Sequence, residues 1–375
     1  MANGSDEPVK SSERGVGLGE SRAARPARDA LLALSRSHAI LQAAHLELTK
    51  RCNLRCYHCY VAGSPVELPT SRWLDVVDEL EAEGCLHVTL TGGEVGLRRG
   101  WLQIAERVKR RRMTLTVLTN GTTFPPEDVA RLADLRPLLV GVSLYGGEAV
   151  AHERVTGVTG SFDRSMASLR SLRERGVRCR IGCTLMPETF PEVDRIIDLA
   201  EELDCEFQFD PTVAARADGE CSVLDYRLPI AQVKEYLGNS RLRSRRSRVR
   251  RAEEAGRSRV GPLVYCGAGI TGATIEANGD VLACMGLPPA FGNVQTASFH
   301  AAWHGAVAAA HRVRMQAPLH DCGGCRFLDH CTGRCPRQAL VEVGSMSGAI
   351  PRTCELTAFA VEVLAETDIL RPHPE

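Results

Sequence analysis

The chain has 375 residues, room for one large domain and a smaller one, and its 46 Lys and Arg balance 46 Asp and Glu. A formal net charge of zero supplies no global field for nucleic acid or a membrane surface. The 15 cysteines would read as disulfides in a secreted chain, but residues 1–30 lack the apolar stretch of a signal peptide and no run is long enough to span a membrane. The expectation is a cytoplasmic chain whose thiols stay reduced and ligate metal.

Residues 1–30 carry almost no large apolar side chains and are expected to be disordered. A short helix is expected over 31–42. From about residue 44, short apolar strands alternate with amphipathic helices. The strands are His45–Thr49, His87–Thr91, Thr114–Thr119, Leu138–Leu144, Arg178–Leu185 and Glu206–Asp210, and the helices run over 71–84, 100–112, 126–134, 161–175 and 190–203. In the last of these, Val193, Ile196, Ile197 and Ala200 recur at helical spacing. Six βα units in series predict an α/β fold, a partial (β/α)6 TIM-like barrel over 31–235 with functional groups at the C-terminal ends of its strands.

The rhythm stops near 235. An Arg-rich linker is expected over 236–262. Its stretch 241–260 holds nine Arg against two Glu and reads either as a solvated linker or as a docking surface for an acidic partner. Residues 263–354 are rich in Gly, Pro and Cys with little periodicity, which predicts a small second domain stapled by something other than a large core. A last amphipathic helix is expected over 355–369, within a helix and tail that reach 375.

The first strand runs into Cys52-Asn53-Leu54-Arg55-Cys56-Tyr57-His58-Cys59. Three thiolates in eight residues can wrap one compact inorganic cluster, and a set of three leaves a metal position open. A zinc site completed by His58 or a distant residue is the alternative. The second strand ends in Gly92-Gly93-Glu94, where glycines let backbone approach a ligand and the Glu can accept a hydrogen bond from an ammonium group.

Over residues 44–210 these features resemble the radical S-adenosylmethionine (SAM) superfamily. The resemblance implies that Cys52, Cys56 and Cys59 hold a 4Fe–4S cluster whose open iron is chelated by SAM. It implies that Gly92, Gly93 and Glu94 bind the SAM amine and that His58 lies near the adenine, where most relatives have Tyr or Phe. Asn120, at the end of strand three, fits the same polar set. Ser143 stands where relatives place a ribose contact, and Arg154 resembles a basic residue that reaches the SAM carboxylate; a surface salt bridge is its other reading.

A second series comprises Cys266, Cys284, Cys322, Cys325, Cys331, Cys335 and Cys354. The block from Cys322 to Cys335 alone would suit a zinc knuckle. The full series closely resembles the SPASM domain of peptide-modifying radical SAM enzymes. That resemblance implies two auxiliary 4Fe–4S clusters, one on Cys266, Cys284 and Cys335, the other on Cys322, Cys325, Cys331 and Cys354. The first set lacks a fourth thiolate, so its iron is either open or bound by a residue such as Tyr265, Asp280 or His300. Among the remaining cysteines, Cys183 lies on strand five and is expected to face the barrel lumen, where a thiol could take part in radical or proton transfer.

The resemblance implies reductive cleavage of SAM to a 5′-deoxyadenosyl radical, which abstracts hydrogen from a substrate. That substrate is read as a ribosomal precursor peptide, modified by crosslinking, thioether formation or another oxidation. A flavodoxin- or ferredoxin-type electron donor and a separate leader-peptide-binding protein are the expected partners. The alternatives are a radical SAM oxidase of a small molecule and a sulfatase maturase, the latter weakened by Met285 where maturases carry an acidic base. An iron–sulfur electron carrier is the non-enzyme alternative.

Overall fold

The computed structural model describes residues 30, 33–62, 66–239, 241, 266–316, 321–322, 324–327, 331 and 335–365. The strands are β1 (Ala43–Glu47), β2 (His87–Thr91), β3 (Thr114–Thr119), β4 (Leu139–Ser143), β5 (Cys179–Thr184), β6 (Glu206–Asp210), β7 (Gly272–Ile275), β8 (Asp280–Leu282) and β9 (Gly292–Asn293). The helices are α1 (Thr70–Ala82), α2 (Trp101–Arg110), α3 (Pro126–Asp134), α4 (Ala149–Thr156), α5 (Ser161–Glu174), α6 (Val193–Glu202), α7 (Ile230–Gly238), α8 (Phe299–Trp303), α9 (Ala306–Gln316), α10 (Pro336–Val343) and α11 (Pro351–Ala365). One sheet of order β6-β5-β4-β3-β2-β1-β7-β8-β9 carries them all, parallel from β6 through β7 and antiparallel beyond. Neighbouring strands follow one another in sequence from β1 to β6, as repeated right-handed βα crossovers require.

Alternation along each strand separates two faces. Ala44, Leu46, Val88, Leu90, Leu115, Val117, Val140 and Val142 are fully buried and share a core with Trp73, Val76, Val77, Leu80 and Ile104 of the helices. His45, Thr89 and Thr116 fall on the opposite face, in register across β1, β2 and β3, and Glu47 falls on it beside Thr91.

The expected strands and barrel helices match to within a few residues at each end, and α4 and α7 are additional. Two expectations need correction. The helix expected over 31–42 is present at 33–37 but ends there, because Gln42 and Ala43 both donate to the Thr271 carbonyl at 2.8 and 3.1 Å and the chain is drawn into β1 from Ala43. The segment after 263 was expected to do without a large core. Instead Ile275, Val281, Phe299 and Trp303 join the barrel's own core, and β7 pairs with β1. Its elements run only two to five residues before α9, too short to print a periodicity. The final helix begins at Pro351, and 366–369 lie outside the described residues. So do residues 1–29 and most of the Arg-rich linker. Arg241, at its start, bonds Asp194, Asp198 and Glu201 of α6. Among the described residues no helix is long and apolar enough to cross a membrane.

Candidate functional site

The loop leaving β1 is laid directly on the glycines leaving β2. Gly93 N–H donates to the Thr49 carbonyl at 2.7 Å, and Glu94 N–H to the Arg51 carbonyl at 2.8 Å. A Cβ on Gly92 would stand 2.5 Å from the Thr49 oxygen, and one on Gly93 2.3 Å from the Arg51 oxygen. The glycines thus allow an approach of backbone to backbone, where the sequence suggested an approach to a ligand. The loop is tied again by Arg55 N–H to the Thr156 carbonyl at 2.8 Å, at the end of α4, and by Asn53 Nδ2 to Thr122 Oγ1 at 2.7 Å.

Glu94 is fully buried. Its Oε1 accepts from Gly96 N–H at 3.0 Å, Thr119 Oγ1 at 2.7 Å and Thr123 Oγ1 at 2.9 Å, and its Oε2 accepts from Asn120 N–H at 2.7 Å. Burial pushes its pKa up, opposed by those four donors. The carboxylate therefore binds the exit of β2 to the exit of β3, and Oε2 keeps the spare accepting capacity. Asn120 continues the chain of contacts: its Nδ2 donates to Asn53 Oδ1 at 3.1 Å and reaches Cys52 Sγ at 3.7 Å.

Burial raises the pKa of Cys52, Cys56 and Cys59; Cys59 adds to it at Cys52, and both Cys59 and Cys52 at Cys56, where the thiol is pushed up to about 12. Cys52 is exposed and Cys56 and Cys59 are half-buried; clustered thiols that would repel one another as thiolates suit a shared cationic centre, which turns that repulsion into attraction. Around them, Tyr145 is also pushed well up, by burial first and then by Cys56, Cys183 and Cys59. The His58 ring meets Tyr145 edge-on at 4.9 Å; its Nδ1 is buried without a hydrogen-bond partner, and burial lowers its pKa to about 4. Ser143 ends β4 on the same strand face as Gly141, beside the Tyr145 side chain. Arg154 stands exposed in the last turn of α4. Tyr57, Tyr145 and Tyr226 pack on Val155, Met186, Val213 and Val223, an apolar wall next to this loop.

The placement expected for Cys183 is corrected. Cys179, Ile181 and Cys183 are the buried alternates of β5 and share the core with Ile196 and Ile197 of α6. The residues facing the other way are Arg180, Gly182 and Thr184, in register with Glu206, Gln208 and Asp210. Cys183 therefore sits under the helices, and burial raises its pKa to about 12.

The seven C-terminal cysteines gather into two groups. Cys266, Cys284 and Cys335 feel one another electrostatically, and Cys354 feels Cys322, Cys331 and Cys325. Thr357 Oγ1 reaches Cys331 Sγ at 3.8 Å. Of the other ligands suggested for the first group, Tyr265 lies outside the described residues, Asp280 bonds Asn278 and Asn293, and His300 bonds Glu83. A link that sequence reasoning missed joins the two halves of the site. The Tyr60 hydroxyl donates to Glu47 Oε1 at 2.8 Å and lies 3.1 Å from Met285 Sδ. Lys50 Nζ bridges Glu47 at 2.7 Å and Glu276 at 3.1 Å. Tyr60 follows Cys59 and Met285 follows Cys284, so the first cysteine loop touches the C-terminal group. Spacing in sequence carries no signal for a contact across 225 residues.

Residues 46–200 match the family model of the radical SAM superfamily, and residues 266–326 that of the SPASM iron-sulfur cluster-binding domain. The AdoMet-dependent heme synthase of Methanosarcina barkeri is 26% identical over 80% of this chain and 92% of its own. The mycofactocin maturase MftC of Mycobacterium ulcerans is 29% identical over 77% of this chain and 81% of its own. The solved structure of Streptococcus suis SuiB bound to its precursor peptide SuiA shares the fold, with a TM-score of 0.68 at 17% identity over 95% of this chain and 84% of that one.

Proposed function

Because the chain belongs to the radical SAM superfamily and carries a SPASM domain, we propose that it modifies a ribosomal precursor peptide with three 4Fe–4S clusters. Cys52, Cys56 and Cys59 would hold the SAM-cleaving cluster. Cys266, Cys284 and Cys335 would hold one auxiliary cluster, and Cys322, Cys325, Cys331 and Cys354 the other. The radical SAM core then covers 31–235 and the SPASM domain 263–354. When bound, the first cluster supplies the electron that opens SAM to radical chemistry.

The chain's own residues bind and orient. Glu94, through Oε2, and the Gly92–Gly93 backbone receive the SAM amine. His58 offers an unpartnered Nδ1 toward the adenine end. Asn120, Ser143 and Arg154 complete the polar set for ribose and carboxylate. The wall of Tyr57, Tyr145 and Tyr226 holds the substrate C–H at near-attack distance and excludes water. The carrying observation is the gathering of the three-thiol loop and the seven C-terminal thiols into separate groups, with the loop joined to the Cys284 group at Tyr60–Met285. A flavodoxin- or ferredoxin-type donor, a separate leader-binding protein and a cytoplasmic location belong to the same reading.

The Methanosarcina relative favours a second reading, an oxidation of a small molecule. The two separate in one experiment. Anaerobically reconstituted enzyme with SAM and reductant is given the short peptides encoded beside its gene, and separately porphyrins. The proposal expects 5′-deoxyadenosine formation to rise with one peptide, whose mass falls by lost hydrogen. Turnover with porphyrin alone would replace it.

A further inference from the structure

We infer that Glu83, His300 and His304 form a binding site for one divalent transition-metal ion of the Zn2+ class, which clips α8 of the C-terminal segment to the end of α1. The site uses none of the ten cysteines assigned to clusters and stands or falls independently of the iron–sulfur reading. One ligand atom from each of the three residues lies within 4.8 Å of the other two. His300 Nδ1 is 2.5 Å from Glu83 Oε1, and His304 Nε2 is 2.9 Å from Glu83 Oε2. Two imidazoles and a carboxylate are the donor class that zinc selects, at about 2.0–2.2 Å from the ion. Side chains already this close need only rotate to admit it.

Sequence and packing prepare the geometry. His300 and His304 are four residues apart along one helix face, with ring centroids 4.5 Å apart. The short helix that carries them is held from below. Phe299 and Trp303 are fully buried and stacked at 6.0 Å, and Trp303 Nε1–H donates to the Ala39 carbonyl at 3.0 Å. Ser298 caps the helix by accepting from Ala301 N–H at 3.1 Å, and the Glu79 carboxylate takes the Phe299 N–H. Glu83, the C-cap of α1, is 14% exposed, while His300 and His304 are 69% and 43% exposed. The carboxylate is thus fixed and the imidazoles are open to solvent, which leaves an entry path and a position for water, as in three-ligand zinc sites. Binding displaces the protons shared between the imidazoles and Glu83 and involves no change of oxidation state.

The test uses the cluster-loaded protein under anaerobic conditions, with Zn2+ titrated against a chelating indicator. Wild type should take up one more Zn2+ per chain than the His300→Ala/His304→Ala variant. Each single substitution should weaken binding by about tenfold or more, on the scale of losses seen when a metal site is disturbed. X-ray absorption at the zinc edge should show a nitrogen and oxygen shell without sulfur. Equal uptake by wild type and the double variant would overturn the site, as would sulfur in the shell, which would put the zinc on thiols. No uptake by either protein would leave Glu83 an ordinary ion-pair partner and overturn it equally. His300 and His304 are exposed and outside the core, so the single and double variants should fold.

Discussion

At Gly93 a single methyl group decides where the first cysteine loop lies. Gly93→Ala would press a Cβ against the Arg51 carbonyl, 2.3 Å away, and backbone cannot yield as a flexible side chain would. The variant should fold and keep its C-terminal iron but lose about a third of the total, one cluster of three, together with SAM cleavage; iron analysis and 5′-deoxyadenosine assay check it. Glu94 has a double role, so two variants are needed. Glu94→Ala removes four hydrogen bonds and should loosen the 119–123 turn. Glu94→Gln keeps an accepting oxygen but loses the charge. It should bind SAM about ten- to a hundredfold more weakly, the worth of a charge-assisted hydrogen bond. Unchanged affinity in the Gln variant would make Glu94 purely a loop anchor. His152 is fully buried, accepts from Tyr145 N–H at 3.2 Å through Nδ1, and has its pKa lowered from 6.5 to about 4 by burial. The unfolded chain takes up a proton there first, so stability present above pH 6.5 is lost as pH falls toward 4. His152→Asn keeps an acceptor without the titration. Denaturant midpoints measured across that range should depend less on pH in the variant.

Among the elements, α1 and α2 are pinned by Asp78, which bonds Arg107 Nη1 and Arg111 Nε at 2.7 Å each. The Arg111 bond is the largest cause of a pKa below the ordinary carboxylate value. That pairing contributes stability above the unfolded carboxyl pKa and loses it as pH falls through the folded one. Asp78→Asn should therefore lower stability modestly at neutral pH, where the pairing contributes, and flatten the acid limb of the stability curve below about pH 4. The short α8 depends on its anchors. Trp303→Ala opens a cavity in the shared core and should cost about 3–5 kcal/mol by denaturant unfolding. A loss below 1 kcal/mol would mean that α8 is held by its surface contacts alone.

For the molecule as a whole, the pairing of β7 with β1 puts the barrel and the cysteine-rich segment in one sheet over one core. Such a chain should unfold in a single transition, with near-UV and far-UV signals coincident; two separated transitions would mean that the core divides. A chain ended after residue 239 would bare the β1 edge and the apolar faces that Ile275, Phe299 and Trp303 cover, and should aggregate. Full reconstitution should give about 12 Fe per chain.

The sequence by itself determined the parallel α/β order, because each strand and helix has its own period and each period is local. It also determined the two cysteine series, since CxxxCxxC is compact enough to be read in one loop. The tertiary structure decided everything that depends on which face or which distant segment a residue meets. Cys183 took the helix side of β5 because register, not strand membership, assigns a face. The glycines of Gly92-Gly93-Glu94 turned out to seat a neighbouring loop, and the strand starts at Ala43 where Thr271 was there to accept from Gln42 and Ala43. The contacts of Tyr60 with Met285 and of Glu83 with His300 and His304 join residues more than 200 positions apart. Such pairs exist only once the sheet has closed, since chemical complementarity along the chain carries no information about proximity at that separation.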